Sequence, residues 1–290
     1  MSKIKLTFWN KPNFGDVLSP YLISKLSGEG IQYKSSYTSW KTAFRNVLHY
    51  IKYRQFSKVS SVTFPCEHVL LSIGSILSNS DKNGTVWGSG FMNENEPFKG
   101  GKVLAVRGKY SNDKLKRMGY AGCNVFGDPA LLIPIVYPVS KTAQHKIGII
   151  PHWKEVDFFK NAYSDKYKII DLRTTDVEKV IDDIVSCKYI LSTSLHGIIV
   201  SHAYDVPALW IEKGYIDTDG IKFKDYFSSV GIESYKGFKN FDELLSDSFD
   251  IETFFEEHKR IVVPKIPISM IQKSLLSVAP FKIKEKYMLC

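Results

Sequence analysis

Residues 189–212, YILSTSLHGIIVSHAYDVPALWIE, place one ionisable ring, His196, just after three hydroxyls, Ser192, Thr193 and Ser194, between an apolar strand and a helix. The start of a helix carries unpaired backbone N–H groups and a partial positive charge, so an anion docks there readily. The hydroxyls suit either capping or a phosphate or carboxylate, and Gly197 would let a ligand approach the backbone. The competing reading is structural: the serines only cap and His196 only hydrogen-bonds, as many histidines do. His202 lies six residues further on, a rotation of about 240° on a helix, so the pair shares no face and forms no metal site; packing is its expected role.

A second histidine, His152 in IIPHWKE, also follows a strand, with Trp153 beside it. Arg107 in VLAVRGKYS ends an apolar run, followed by Gly108, Lys109 and Ser111, and is expected to face the cleft. A guanidinium there suits a carboxylate or phosphate because it binds in a bidentate fork; the structural alternative is an ion pair. The loop NKPNFGD offers Asn13, Gly15 and Asp16, with Asp16 either an acid/base or hydroxyl-binding group or the cap of a helix starting at Val17. The glycine-rich runs SIGSIL and WGSGF, which carry Ser75 and Trp87, have the openness a sugar would need. Neither a GxGxxG fingerprint nor a GxxxxGK[ST] loop is present, which disfavours a standard dinucleotide or P-loop site.

These groups sit at the ends of predicted strands. Residues 3–9 read as a buried strand, and Leu18, Tyr21, Leu22 and Leu26 form one helical stripe after the following loop. IQYKS, HVLLSIGSIL, GTVWGSGF and KVLAVRG supply further strands, while residues 36–64 fit this pattern poorly and read as a partly helical excursion or flap. A polar linker at 137–145 separates a second alternation: strand 146–150, a helical stretch, strand 167–172, a helix over 176–187 with a Thr175–Glu178 capping box, and strand 189–194. The expected fold is therefore α/β, with two doubly wound Rossmann-like lobes at residues 1–140 and 141–262 and a helical tail at 263–290 that braces them. In such sheets ligands bind outside the carboxyl ends of strands.

The chain of 290 residues carries 39 Lys and Arg against 30 Asp and Glu, a net charge of +9 that favours anionic partners, whether a phosphorylated metabolite, nucleic acid or an anionic membrane face. Cys66, Cys123, Cys187 and Cys290 are widely spaced and suggest neither zinc nor disulfides, and the first sixteen residues lack a secretory apolar core. A cytoplasmic protein is expected, with any membrane contact peripheral, since no run approaches the ~20 apolar residues of a spanning helix.

Taken in order, NFGDVLSPYLI, LLSIGSIL, VWGSGF, VRGKYS, FGDPALLIP, IGIIPH and STSLHGIIVSHAYDVPALWI resemble the polysaccharide pyruvyl transferase family over roughly residues 6–212. The resemblance implies an architecture similar to the two-lobed GT-B glycosyltransferases, with residues 1–140 as the acceptor side and 141–262 as the donor side. It implies transfer of a pyruvyl unit from phosphoenolpyruvate to sugar hydroxyls of a capsule or exopolysaccharide precursor, leaving a pyruvate ketal and phosphate, with no metal and no cofactor. In that picture Arg107 grips the donor together with His152, Ser194, His196 and Gly197, and His196 is phosphate ligand or general acid alongside Arg107 and Asp16. Asn13, Asp16, Ser75 and Trp87 meet the acceptor, expected to be a lipid-linked oligosaccharide. Family members often carry an arginine where Ser194 stands here, which leaves His152, Lys109 or Lys213 as stand-ins.

Two other readings compete. A GT-B-type glycosyltransferase using a nucleotide sugar has the same architecture, because fold does not fix function. A basic module that binds nucleic acid has the charge in its favour but none of the recognised motifs, so no nucleic-acid partner is expected.

Overall fold

The computed structural model describes residues 3–35, 39–140, 143–214 and 216–288. Cys290, residues 36–38 of the 36–64 excursion and residues 141 and 142 of the linker lie outside them.

Nine strands build two sheets. The first comprises β1 Lys3–Thr7, β2 Gly30–Tyr33, β3 Val69–Leu71, β4 Gly84–Trp87 and β5 Lys102–Ala105 in the order β2-β1-β3-β4-β5. The second comprises β6 His145–Ile150, β7 Lys168–Ile169, β8 Cys187–Ser192 and β9 Ala208–Trp210 in the order β7-β6-β8-β9. Every neighbouring pair is parallel. Parallel strands need crossover helices on the sheet faces, which makes this an α/β chain of two Rossmann-like lobes. In both sheets the winding reverses between the first strand and its third, at β1/β3 and at β6/β8, and a crevice opens where adjacent crossovers leave in opposite directions.

The first crossover shows how local sequence sets this up. Helix α1, Phe14–Ser27, is capped by Asn13, whose side chain accepts from Gly15 N, and ends at Gly28, held at φ 76° where a side chain would be strained. Asp16 is thus in the first turn and is not the cap. Leu18, Leu22 and Leu26 are fully buried, each stabilising the lobe by about 2 kcal/mol relative to exposure. Tyr21, on the same stripe, stays half-buried and donates from its hydroxyl to Glu178 of the second lobe at 2.7 Å.

The helix read over 176–187 spans Val177–Val185, and its cap is Asp176, which accepts from Lys179 N, so the Thr175–Glu178 box does not form. The 36–64 excursion contains helix α2, Trp40–Lys52, capped by Ser39, and a short turn at Phe56–Val59.

The lobes are latched together. Phe14 N donates to Leu172 O at 2.8 Å, and Thr218 Oγ1 donates to Met92 O at 3.0 Å. The Ile268–Ser277 helix returns to the first lobe, where Trp87 Nε1 donates to Leu275 O (3.0 Å) and Gln272 Nε2 to Leu131 O (2.7 Å).

Candidate active site

The two reversal points face each other across a cavity of about 520 Å³. Asn13 and Asp16 enter it from the loop and first turn after β1, Gly74 and Ser75 from the loop after β3, His152 from the end of β6, and Ser194 and His196 from the end of β8. Each stands there because a parallel strand releases its chain at the same sheet edge.

The strand-to-helix turn after β8 is rigidly tied. Ser192 Oγ accepts from Ser194 N (3.0 Å) and lies 2.9 Å from Ile150 O, while Thr193 Oγ1 accepts from His152 N at 2.6 Å. The hydroxyls of Ser192 and Thr193 therefore stitch the loop after β6 to the loop after β8. Ser194 is the N-cap residue of the Leu195–Ala203 helix, yet its side chain makes no capping bond. The first-turn N–H groups thus keep their anion-binding capacity at the cavity wall.

His196 packs against the other lobe. A Cβ on Gly15 would stand 2.3 Å from His196 Nδ1, so only glycine allows this approach of α1 to the ring. Burial, with the nearby Lys222 and Arg107 cations, pushes the His196 pKa down to about 3, and burial pushes that of His152 to about 4. Both rings are neutral near pH 7. His196 Nε2 is buried with no hydrogen-bond partner among the described residues, a group that a ligand can satisfy.

Asp16 moves the opposite way: burial raises its carboxyl to about 7, partly offset by a backbone hydrogen bond from Trp9. A carboxyl titrating there can hold and release a proton at neutral pH.

Lys222 is the cation that the sequence reading missed. It stands in the first turn of the Ile221–Val230 helix, lines the cavity, is 6% exposed and has no ion-pair partner among the described residues. Burial and the Arg107 charge lower its pKa to about 8, so it remains mostly protonated at pH 7. Phe223, Phe227 and Val230 in GIKFKDYFSSVG had the helical spacing to reveal this helix, with Gly231 closing it at φ 74°. That its lysine turns inward depends on the neighbouring lobe. Of the proposed stand-ins, Lys109 lies exposed outside the cavity and Lys213 lines a neighbouring one; only His152 shares the site.

Three expectations are corrected. Arg107 does not face the cleft: it is fully buried, donating from Nε to Asp225 Oδ2 (3.1 Å), from Nη1 to Ser75 Oγ (2.6 Å) and from Nη2 to Phe91 O (2.7 Å). It stands one layer behind the wall and anchors Ser75, which does line the cavity. Asp225, also fully buried, accepts from Ser111 N and Oγ as well, so this ion pair crosses from the first lobe to the second. Trp87 is wholly buried with its indole N–H engaged by Leu275 O, so it cannot meet a sugar. Gly197 lies off the cavity; a Cβ there would come within 2.5 Å of Ser192 Oγ and 2.8 Å of Ile150, so it serves close helix-to-sheet packing. His202, as expected, packs, bonded to Tyr226 Oη and Val262 O.

A second cavity of about 340 Å³ shares Ile216 with the first and is lined by Lys213, Lys224, Lys236 and Lys239. Among the described residues no group of three or more His, Cys, Asp or Glu is placed to hold a metal ion.

A family model described as polysaccharide pyruvyl transferase matches residues 13–213, which run from the cap of α1 to just past β9. An uncharacterised protein of Acanthamoeba polyphaga mimivirus is 31% identical over 192 residues, covering 63% of this chain and 67% of that protein. No solved structure matches the chain.

Proposed function

The chain belongs to the polysaccharide pyruvyl transferase family, and on that premise we propose that it moves pyruvate from phosphoenolpyruvate onto two hydroxyls of one sugar in a surface-polysaccharide precursor. The observation that carries the reading is the meeting, around one cavity, of a protonatable carboxyl at Asp16, an unpaired buried ammonium at Lys222 and the free first-turn amides of the Leu195–Ala203 helix.

Phosphoenolpyruvate needs two things from a protein: a grip on its phosphate and a proton for its methylene carbon. Lys222 and the helix amides supply the grip, with neutral His196 and the Ser194 hydroxyl as hydrogen-bonding partners. Lys222 thereby supplies the cationic grip that Ser194 cannot.

Protonated Asp16 donates to the methylene carbon, turning it into a methyl group and leaving an oxocarbenium-like C2. A sugar hydroxyl attacks C2, and its proton returns to the Asp16 carboxylate. The C2–O bond to phosphate then breaks, a second hydroxyl closes the ketal, and its proton leaves with phosphate. A positioned acid contributes typically 10² to 10⁴-fold, and Lys222 with the helix dipole stabilises charge building on the departing phosphate. The His196 pKa of about 3 makes it a poor proton donor at neutral pH, which favours Asp16 for that step.

The protein incubated with phosphoenolpyruvate and native glycan acceptors is expected to release phosphate and add a carboxyethylidene mass to the sugar. If no acceptor yields either product, and nucleoside diphosphates rather than phosphoenolpyruvate raise its melting temperature, the chain is a glycosyltransferase instead.

A further inference from the structure

We infer that helix α2 docks this protein on an anionic lipid bilayer. Trp40, Phe44, Leu48 and Ile51 are 49%, 53%, 66% and 47% exposed, an unusual amount of large apolar surface for one 13-residue helix. At about 100° per residue they fall within about 80° of arc, and Lys41, Arg45 and Lys52 occupy about 40° immediately beside them. Ala43, the buried residue of α2, lies on the side that faces the protein. About half of the stripe's apolar surface is therefore left uncovered by the fold, and Tyr53 and Phe56, 56% and 63% exposed, extend it past the end of the helix.

Charge identifies the occupant. From Gly30 to Cys66 the sequence has six Lys and Arg and no Asp or Glu. Lys41, Arg45, Lys52, Arg54 and Lys58 are all exposed, and none forms an ion pair among the described residues. A protein groove that accepted the apolar stripe would satisfy the aromatics but leave this cationic border unanswered. A bilayer with anionic headgroups meets both, the side chains entering the acyl boundary and the cations staying at headgroup level. At 13 residues α2 lies on such a surface, and no helix among the described residues is long and apolar enough to cross one.

Helix α2 follows two cavity-lining residues in the chain. Tyr33 and Ser35, which line the cavity, precede α2 in the chain, and Trp40 and Phe44 pack on Phe64 with ring centroids 5.7 and 6.0 Å apart. If the proposed transfer holds, an acceptor glycan tethered to the same bilayer by a lipid would be held on the surface where α2 docks; the docking itself does not rest on that transfer.

The test is flotation of the full chain with phosphatidylglycerol/phosphatidylcholine vesicles and with phosphatidylcholine alone, for the wild type, F44S/L48S and K41Q/R45Q/K52Q. The expected result is binding to the anionic vesicles, weak binding to the neutral ones, and at least a tenfold loss in each variant, since each Lys or Arg at such a surface is worth about fivefold. The melting temperature should stay unchanged in K41Q/R45Q/K52Q, whose side chains are exposed, and fall only slightly in F44S/L48S, where half-exposed Phe44 gives up its contact with Phe64; phosphate release with a water-soluble acceptor should stay unchanged in both, because the substituted side chains are off the cavity. No binding to anionic vesicles, or equal binding by all three proteins, overturns the inference. So does a solution dimer that F44S/L48S abolishes without any vesicle binding, which would make the stripe an interface between copies. Vesicle binding without phosphate release would leave the docking standing and remove the transfer.

Discussion

Gly15 in the first turn of α1 and His196 in the first turn of the Leu195–Ala203 helix meet across the lobes so closely that a Cβ on Gly15 would stand 2.3 Å from His196 Nδ1. Two helix starts from two sheets thus share one wall, and a single methyl group is enough to part them. Gly15→Ala should force the ring or the lobe aside, at a cost of about 1–3 kcal/mol in stability. Phosphate release should fall at least ~100-fold, because a shift of about 1 Å in a positioned group costs that much. Chemical denaturation beside single-turnover rates checks both, and a fully active Gly15→Ala protein would show that the reaction does not need this close contact.

Lys222 should carry the affinity for phosphoenolpyruvate. Lys222→Gln is expected to raise the KM for the donor at least ~10-fold, and Lys222→Arg to restore part of it, since a charge-assisted bond to phosphate contributes about 1.5–3 kcal/mol. Removing an unpaired ammonium from a buried position should also raise the melting temperature. The same changes at Lys109, exposed and outside the cavity, should leave the KM unaltered.

Asp16 makes activity and stability respond to pH in the same direction. The folded protein holds the Asp16 proton up to about 7, whereas the unfolded chain releases it near the ordinary value of 3.8. Its support of the fold is thus fully present below the ordinary value and is lost as pH rises through about 7. The rate of phosphate release should fall over the upper part of the same window. Asp16→Asn should lose activity by about 10² to 10⁴-fold yet melt higher than the wild type at pH 8, where the wild type must bury a carboxylate. At pH 4 the two melting temperatures should nearly coincide.

Arg107 and Asp225 form a different kind of pair, both fully buried and belonging to different lobes. Arg107→Ala strands the Asp225 carboxylate and should cost about 3–5 kcal/mol. Arg107→Met with Asp225→Leu removes both charges and should recover most of that loss. Activity should stay low in the double variant, because Ser75 loses the Nη1 bond that aims it at the cavity. Urea melts and donor KM values measured on the same samples separate the two effects.

By itself the sequence determined a good deal about this protein. Apolar runs ending in glycine, hydroxyls or histidine marked the strands and their carboxyl ends, and the rules of parallel sheets brought Asp16 and Ser75 to the carboxyl edge of one sheet and His152, Ser194 and His196 to that of the other. Those rules need only the alternation of strands and helices, which local apolar spacing and breaker residues mark, and the common direction that helical crossovers impose on the strands. The tertiary structure alone decided which polar groups at those edges face open space. Arg107 ends a strand just as His152 does, yet a carboxylate from the second lobe meets it and draws it behind the wall. Lys222, which resembles a solvated lysine in the sequence, is buried at the cavity because the first lobe closes over its helix. Burial also set the charge states, and the protons of Asp16 and His196 follow from what the opposite lobe excludes, which no spacing along the chain encodes.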